Sequence, residues 1–380
     1  MAPPRDDLSR PDMRAHALEL ERFLRETPWS ISSTDAAFAA LALESFRLQC
    51  GSIPAYGAYA KHLGRGPGEV RRWQDIPPVP ASAFKSHDLS VAEHGVEAAV
   101  FETSGTTISR PGRVRLGSTR LYEASLLRAF ERHLLPDGAR LPIVIFGPSR
   151  EAAPRSSLWF MADCVARALG AGRAVVVERG APRWHVADEV FTRVAADRRP
   201  VLLLGTTLLF AAYAERCDAR GVRFALPAGS RAMDTGGAKG TRVEVARPTV
   251  HALFERVLGI PPTHVVNEYG MAELASQFYE DRLRASQEGR PAREGHAAPP
   301  WVRTWVLDPE TLTECAEGEP GILVHVDLAN LDVPLAVQTE DVGARTGDRL
   351  LLRGRLPEAE RRGCSLPFEE FLERERAGGA

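Results

Sequence analysis

The chain contains no run of eighteen apolar residues, so no transmembrane helix is expected. Residues 1–10 are polar and proline-rich and lack the apolar core of a signal peptide. Paired cysteines are missing. Cys50, Cys164, Cys217, Cys315 and Cys364 show no CxxC spacing, which argues against a structural zinc site. With an odd count and no leader, they point to reduced thiols in a cytoplasm. Net charge is small: the formal value is -2, so no basic field directs the chain to nucleic acid. No Walker A string occurs. Lysine is scarce as well. Of 48 basic residues only Lys61, Lys85 and Lys239 are lysine. A GC-rich genome explains the arginine excess, but a lysine kept against it is a candidate for chemistry, because ammonium and guanidinium differ in shape and hydration.

What is present is a globular composition, 44% hydrophobic and 26% charged over 380 residues, enough for a large core. Residues 1–95 read as mostly helical. Residues 14–25 carry Leu18, Leu20, Phe23 and Leu24 at helical spacing, and Ser33-Thr34-Asp35 offers caps for an Ala- and Leu-rich helix to about Cys50. From 96 to 300 short apolar runs (143–146, 174–177, 201–204, 264–266) alternate with helical stretches (158–169, 186–196, 249–258). This is the pattern of an α/β sheet that binds ligands beyond the carboxyl ends of its strands. Residues 301–340 look like a small β-rich subdomain, with strands at 301–307 and 321–326 around a Glu-Gly-Glu-Pro-Gly turn. Residues 341–380 are too short for an ordinary domain and are expected to form a C-terminal lid.

Four segments carry candidate chemistry. Thr103-Ser104-Gly105-Thr106-Thr107 puts hydroxyls and a glycine where backbone N–H groups can wrap phosphate oxygens; an ordinary Ser/Thr-rich turn has the same composition. Met233-Asp234-Thr235-Gly236-Gly237-Ala238-Lys239 places paired glycines after an apolar segment, as a flat ring lying on backbone requires, or as any flexible loop allows. Asn267-Glu268-Tyr269-Gly270-Met271-Ala272-Glu273 follows an apolar strand. Its aromatic can stack on a base, and Glu273 is a hard oxygen ligand for Mg²⁺. The alternative is a polar strand-to-helix turn with Glu273 in the first helical turn. Glu340-Asp341 and Gly354-Arg355 supply a carboxylate suited to ribose hydroxyls and a guanidinium suited to phosphate, or a solvated surface pair.

Taken in this order, the four segments resemble the ANL superfamily of adenylate-forming enzymes, and within it the LuxE-like acyl-protein synthetases. Pro78-Val79-Pro80 with Phe84-Lys85, Gly147-Pro148 leading to Ser156-Ser157-Leu158, and Arg362-Gly363-Cys364-Ser365-Leu366 extend the likeness over residues 75–367. The resemblance implies an ANL-type adenylating fold: a large α/β N-terminal domain, a small β-rich subdomain and a truncated C-terminal tail domain. It implies ATP and Mg²⁺ as cofactors. Thr103, Ser104, Gly105, Thr106 and Thr107 would hold the phosphates. Gly236, Gly237 and Ala238 would line adenine, with Tyr269 stacking between Glu268 and Gly270. Glu273 would bind Mg²⁺, Asp341 the ribose hydroxyls, and Arg355 would sit near them. Cys364 occupies the place of the family's acyl-accepting cysteine, and Lys85 or Lys239 would assist with charge.

Three departures from the superfamily pattern stand out. Ala272 replaces a threonine whose hydroxyl contacts the α-phosphate, a loss of roughly 1 kcal/mol for one hydrogen bond. Ile108-Ser109-Arg110-Pro111-Gly112 replaces the glycine-rich, lysine-bearing tail of the phosphate loop. The large C-terminal domain with its catalytic lysine is missing, which fits the short-tailed synthetases better than a complete CoA-ligase cycle. The expected reaction is ATP-dependent activation of a fatty or aryl acid, then thioester formation on Cys364. An acyl-accepting reductase or transferase is the partner implied. Rival readings are an acid–CoA ligase, adenylation for another acceptor, and a non-catalytic nucleotide- or acyl-binding protein. Trp159, Met161 and residues 205–210 are the apolar stretches expected to line an acid pocket, or to pack a core.

Overall fold

The computed structural model describes residues 10–103, 111–236 and 246–356. They divide into two compact units: residues up to Ser125 with Met271–Gln277 and the chain from Ala297 onward, and Leu126–Gly270 with Phe278–His296.

The second unit is a parallel sheet. Its strands lie in the order Arg173–Glu178, Ile143–Pro148, Leu202–Thr206, Arg231–Thr235, Val265–Tyr269, with Ala181–Pro182 and Phe278–Tyr279 added antiparallel at the two edges. The near-continuous apolar runs seen in the sequence follow from this, since strands covered on both faces bury both sets of side chains. Helices Ser157–Ala168, Trp184–Ala196, Thr207–Ala219 and Arg247–Leu258 connect them. Two begin on side-chain caps: Ser156 Oγ and Thr206 Oγ1 each accept the backbone N–H three residues on, at 3.4 Å. Phe146, Phe191, Phe210, Tyr213 and Phe254 pack one core face. Winding reverses between Ile143–Pro148 and Leu202–Thr206, the place where such sheets open a crevice at their carboxyl ends.

The strand Arg231–Thr235 starts with a charge, which hides it from a search for apolar runs. Arg231 is nevertheless buried. Its guanidinium donates to the Leu134 carbonyl at 3.0 Å and to both Asp137 oxygens at 3.0 and 2.8 Å, so every buried N–H that bears charge is answered.

The first unit is antiparallel. Val302–Leu307, Gly321–Asp327, Ala336–Thr346 and Arg349–Arg355 pair in sequence order, and Val79–Pro80 adds parallel to Ala336–Thr346. The strand Ala336–Thr346 runs through Asp341 without a break. Helices Pro11–Glu26, Asp35–Ser52 and Pro54–His62 lie in the N-terminal stretch. Gln49 has no exposed surface and spends its whole amide on one loop: Nε2 donates to the carbonyls of Asn330, Leu331 and Val333, and Oε1 accepts the Leu335 N–H. Arg303 lies 4.2 Å over the Phe38 ring and donates to Asp35 at 2.8 Å, which ties the second helix to the sheet.

His325 is fully buried on the central strand Gly321–Asp327, with Nδ1 2.8 Å from Thr304 Oγ1. Burial pushes its pKa down to about 3, against the pull of Asp341. An unfolded histidine protonates near 6.5, so between that value and about 3 the unfolded chain binds the extra proton and the fold loses stability as pH falls. His325→Gln keeps a polar group for Thr304. Its urea midpoint is expected to fall less than the wild-type midpoint on acidification from pH 7 to pH 4.5.

Candidate active site

In the parallel unit, the strands Arg231–Thr235 and Val265–Tyr269 run side by side, with Thr235 opposite Glu268. Thr235 Oγ1 donates to the Glu268 carboxylate. Gly236 continues from the first strand with φ +82°, a conformation that an L side chain rarely adopts. The Gly-Gly signal therefore begins at a real left-handed turn at a strand end. Tyr269, 7% exposed, stands at the end of the second strand; its ring centroid is 5.5 Å from Phe278 and 6.3 Å from His296. His296 Nε2 donates to Asn267 Oδ1 at 2.9 Å, and Asn267 Nδ2 donates to the Asp234 carbonyl at 3.1 Å.

Behind these strand ends lies a buried charge network that the sequence did not reveal. Asp234 has no exposed surface. Arg247 Nη1 donates to both its oxygens at 2.8 and 2.7 Å, and Nη2 donates to Glu280 at 3.0 Å. Glu280 in turn accepts the Asn267 N–H at 3.0 Å. Thr207 Oγ1 lies 2.8 Å from Asp234 Oδ2 and 2.7 Å from the Gly236 carbonyl, so one hydroxyl serves both. Burial raises the pKa of Asp234, while Arg247 and Thr207 oppose the rise. Burial also pushes Glu280 up, but Arg247, His296 and Arg282 outweigh it and hold it below the usual range.

The switch-point crevice has one distinctive wall. A Cβ on Gly147 would fall 2.0 Å from the Trp159 ring, so the indole lies directly on the strand end. Of the other residues expected to line an acid pocket, Met161 accepts from the Tyr279 hydroxyl at 3.7 Å and Phe210 packs on Phe146; both belong to the core. Leu208 is 43% exposed.

In the antiparallel unit, the hairpin Ala99–Glu102 with Arg113–Leu116 carries the hydroxyl-rich segment. Thr103 latches its base: Thr103 N donates to the Gly112 carbonyl and Thr103 Oγ1 accepts the Gly112 N–H, both at 2.9 Å. Lys85 is exposed and follows Phe84, whose carbonyl packs beside Gly112. Met271–Gln277 forms a turn with no helix, so the alternative reading of Glu273 in a first helical turn does not hold. Glu273 is 6% exposed. Its carbonyl accepts Asn330 Nδ2 at 2.8 Å, while Asn330 Oδ1 accepts the Ala275 N–H at 2.9 Å. Asp327 takes the Ser276 N–H at 2.9 Å and the Ser276 hydroxyl at 2.8 Å. Asp341 and Arg355 are brought together across neighbouring strands at 3.0 Å; Asp341 is buried and Arg355 is exposed. Ser104, Gly105, Thr106, Thr107, Gly237, Ala238, Lys239 and Cys364 lie outside the described residues.

Sequence reasoning missed Arg247, Glu280, Asn330 and Asp327. Only Asp234 left a signal, as the acid that precedes Thr235-Gly236-Gly237 in the glycine-bearing segment.

A doubly wound parallel sheet with polar, glycine-bearing turns at its strand ends, in a chain that also has an antiparallel unit, is a fold shared with solved acyl-activating ligases. A solved 2-hydroxyisobutyryl-CoA ligase, in complex with 2-HIB-AMP and CoA, superposes with a TM-score of 0.65 at 14% identity, covering 88% of this chain and 72% of that one. The model of the family "Acyl-protein synthetase, LuxE" matches residues 27–373, and the chain belongs to that family. The long-chain-fatty-acid--luciferin-component ligase of Vibrio harveyi is 22% identical over 366 residues, 92% of each chain. The protein of the same name from Aliivibrio fischeri is 33% identical over 75 residues, 20% of this chain and 17% of its own. By family the chain is thus an acyl-protein synthetase, a ligase that acts on acyl groups.

Arg247→Met leaves the buried Asp234 without its cation and is expected to lower stability by about 3–5 kcal/mol in urea unfolding. Adding Asp234→Asn should recover more than half of that loss. Equal losses in the single and double variants would show that the pair is not the source.

Proposed function

We propose that this enzyme activates an alkyl or aryl carboxylic acid and carries the acyl group as a thioester on its own Cys364. The observation that carries the reading is the paired strand ends, where Thr235 stands in register with Glu268, Gly236 and Tyr269 follow them, and the Asp234–Arg247 pair lies behind. Ends held in this way suit a flat ring resting on backbone beside an aromatic.

In the first half-reaction a substrate carboxylate oxygen bonds to the α-phosphorus of ATP, and the bond to pyrophosphate breaks. A carboxylate is ionised at pH 7, so no protein base is required. What the protein supplies is alignment and charge. Thr103, Ser104, Gly105, Thr106 and Thr107 are assigned to the phosphates, with Lys85 and Lys239 adding positive charge. Gly236, Gly237, Ala238, Glu268, Tyr269 and Gly270 are assigned to adenine. Asp341, oriented by Arg355, accepts the ribose hydroxyls. The buried carboxylate of Glu273, a hard oxygen donor, suits Mg²⁺, which would neutralise phosphate charge when bound.

In the second half-reaction the Cys364 thiolate bonds to the acyl carbon and AMP leaves with the electron pair. Arg361 and Arg362 precede the thiol in sequence and favour its ionised form. The relatives' names carry a long-chain fatty acid and a luciferin component. By analogy the acyl group here passes to a reductase or transferase protein in the cytoplasm.

Acid-dependent exchange of pyrophosphate into ATP is the primary test. We expect exchange with at least one acid in a panel of alkyl and aryl acids, and none across the panel would end the adenylation reading. Cys364→Ala should keep the exchange and lose the acyl mass on the protein. Full thioester formation by that variant with free CoA would assign the acceptor elsewhere. Asp341→Asn is expected to raise the KM for ATP about tenfold or more, from the loss of charge-assisted hydrogen bonds, with little change in the KM for the acid.

A further inference from the structure

Within the antiparallel unit, away from every residue assigned above to ATP, the helix Pro11–Glu26 covers a cavity of about 100 Å³. At a water's share of liquid volume, roughly 30 Å³, the cavity has room for about three waters. Ala17 and Leu18 of the helix, Leu116, Leu121 and Leu331 supply apolar wall. Leu18 is 53% exposed, which marks the side open to solvent.

One group in the wall does not match an apolar space. Asp332 is 6% exposed. Its Oδ2 accepts the Ser118 N–H at 3.2 Å, whereas its Oδ1 is buried without a hydrogen-bond partner. The other charged groups of the wall do not answer it. Arg120 is bound to Glu21 at 2.6 Å, and Arg14 is exposed to water. A buried carboxylate oxygen with no donor costs free energy until something supplies one. Burial raises the Asp332 pKa to about 6, against the Ser118 and Gly117 backbone N–H groups, which lower it.

We propose that this cavity is a binding site for a small aliphatic amphiphile whose head group donates a hydrogen bond or carries an ammonium charge, with Asp332 receiving the head and the leucine wall the chain. A head atom and the first three or so carbons of a chain match the available volume, and the rest of a longer chain leaves past the exposed Leu18. The cavity also reaches the turn that carries Glu273: Ala275 lines it, and the Ala275 N–H is held by Asn330, the same side chain that holds the Glu273 carbonyl.

The experiment is calorimetric titration of the whole chain, without ATP, using n-hexylamine, 1-hexanol and hexanenitrile at pH 7. These probes share one chain length and differ in offering a cation, a neutral donor and an acceptor only. The expected order is hexylamine tightest, then hexanol, with hexanenitrile at least tenfold weaker than hexylamine. Ala17→Trp fills the cavity from the helix and should abolish binding of all three. Asp332→Asn should remove the preference for the amine while leaving the alcohol within a few-fold. Hexanenitrile binding as tightly as the amine, saturable binding that survives Ala17→Trp, or no saturable binding of amine or alcohol to the folded wild type would each overturn the proposal. If Asp332→Asn does not fold, the wild-type order and Ala17→Trp still decide it.

Discussion

Asp234 is a carboxylate with no access to water, placed one residue from a strand end where the backbone must turn left-handed. It can remain ionised there because Arg247 meets both its oxygens. The same guanidinium reaches Glu280, and Glu280 holds the backbone of Asn267 on the neighbouring strand. One half-buried cation therefore links two neighbouring strand ends. Everything proposed for the base-binding side of the chemistry depends on that link, because Gly236 and Tyr269 act through position rather than through charge. Arg247 is also the first residue of its helix, so the network joins sheet and helix at the point where the chain re-enters regular structure.

The antiparallel unit solves a similar problem with neutral amides. Met271–Gln277 has no secondary structure to satisfy its backbone, and buried polar backbone must find partners. Asn330 answers Glu273 and Ala275, and Asp327 answers Ser276. Burial raises Asp327 to about 6, with the Ala329 and Ser276 N–H groups and the Ser276 hydroxyl opposing the rise. The loop that carries Asn330 is itself held by Gln49 from the helix Asp35–Ser52. The N-terminal helices, which lack any chemistry of their own, thus bear on the position of Glu273 through two amides in series.

These supports explain what could be read from the sequence and what could not. Parallel strands were legible because covering both faces demands unbroken apolar runs, as at Ile143–Pro148 and Leu202–Thr206. Helices were legible from their periodicity. Arg231–Thr235 was not, since its arginine and aspartate are stabilised by partners at residues 137 and 247 that are distant in sequence. The glycine-rich and hydroxyl-rich turns stood out as composition, so the candidate loops were found. Their anchors were invisible because an Asn or Asp that satisfies a remote backbone has no local pattern. The turn at Glu273 was ambiguous for a related reason: a carboxylate after a strand fits a helix start equally well until Asn330 is seen to hold its carbonyl.

The same physics of burial bears on which thiol is proposed to take the acyl group. A thiol must ionise to attack an adenylate. Cys50 is pushed up to about 12 by burial. Cys217 is raised by burial, which outweighs the Tyr213 hydroxyl. Cys315 is raised by burial and then by Asp308, Glu319 and Glu314, an anionic setting that disfavours a second negative charge. Cys164 is buried in the helix Ser157–Ala168. All four described cysteines thus sit where a thiolate is costly or cannot be reached. Cys364 is preceded by two arginines in a chain where arginine is the available cation. The self-acylation proposal therefore rests on contrast as well as on family position: nucleophilic chemistry at any other cysteine would first require unpacking a helix or removing three carboxylates.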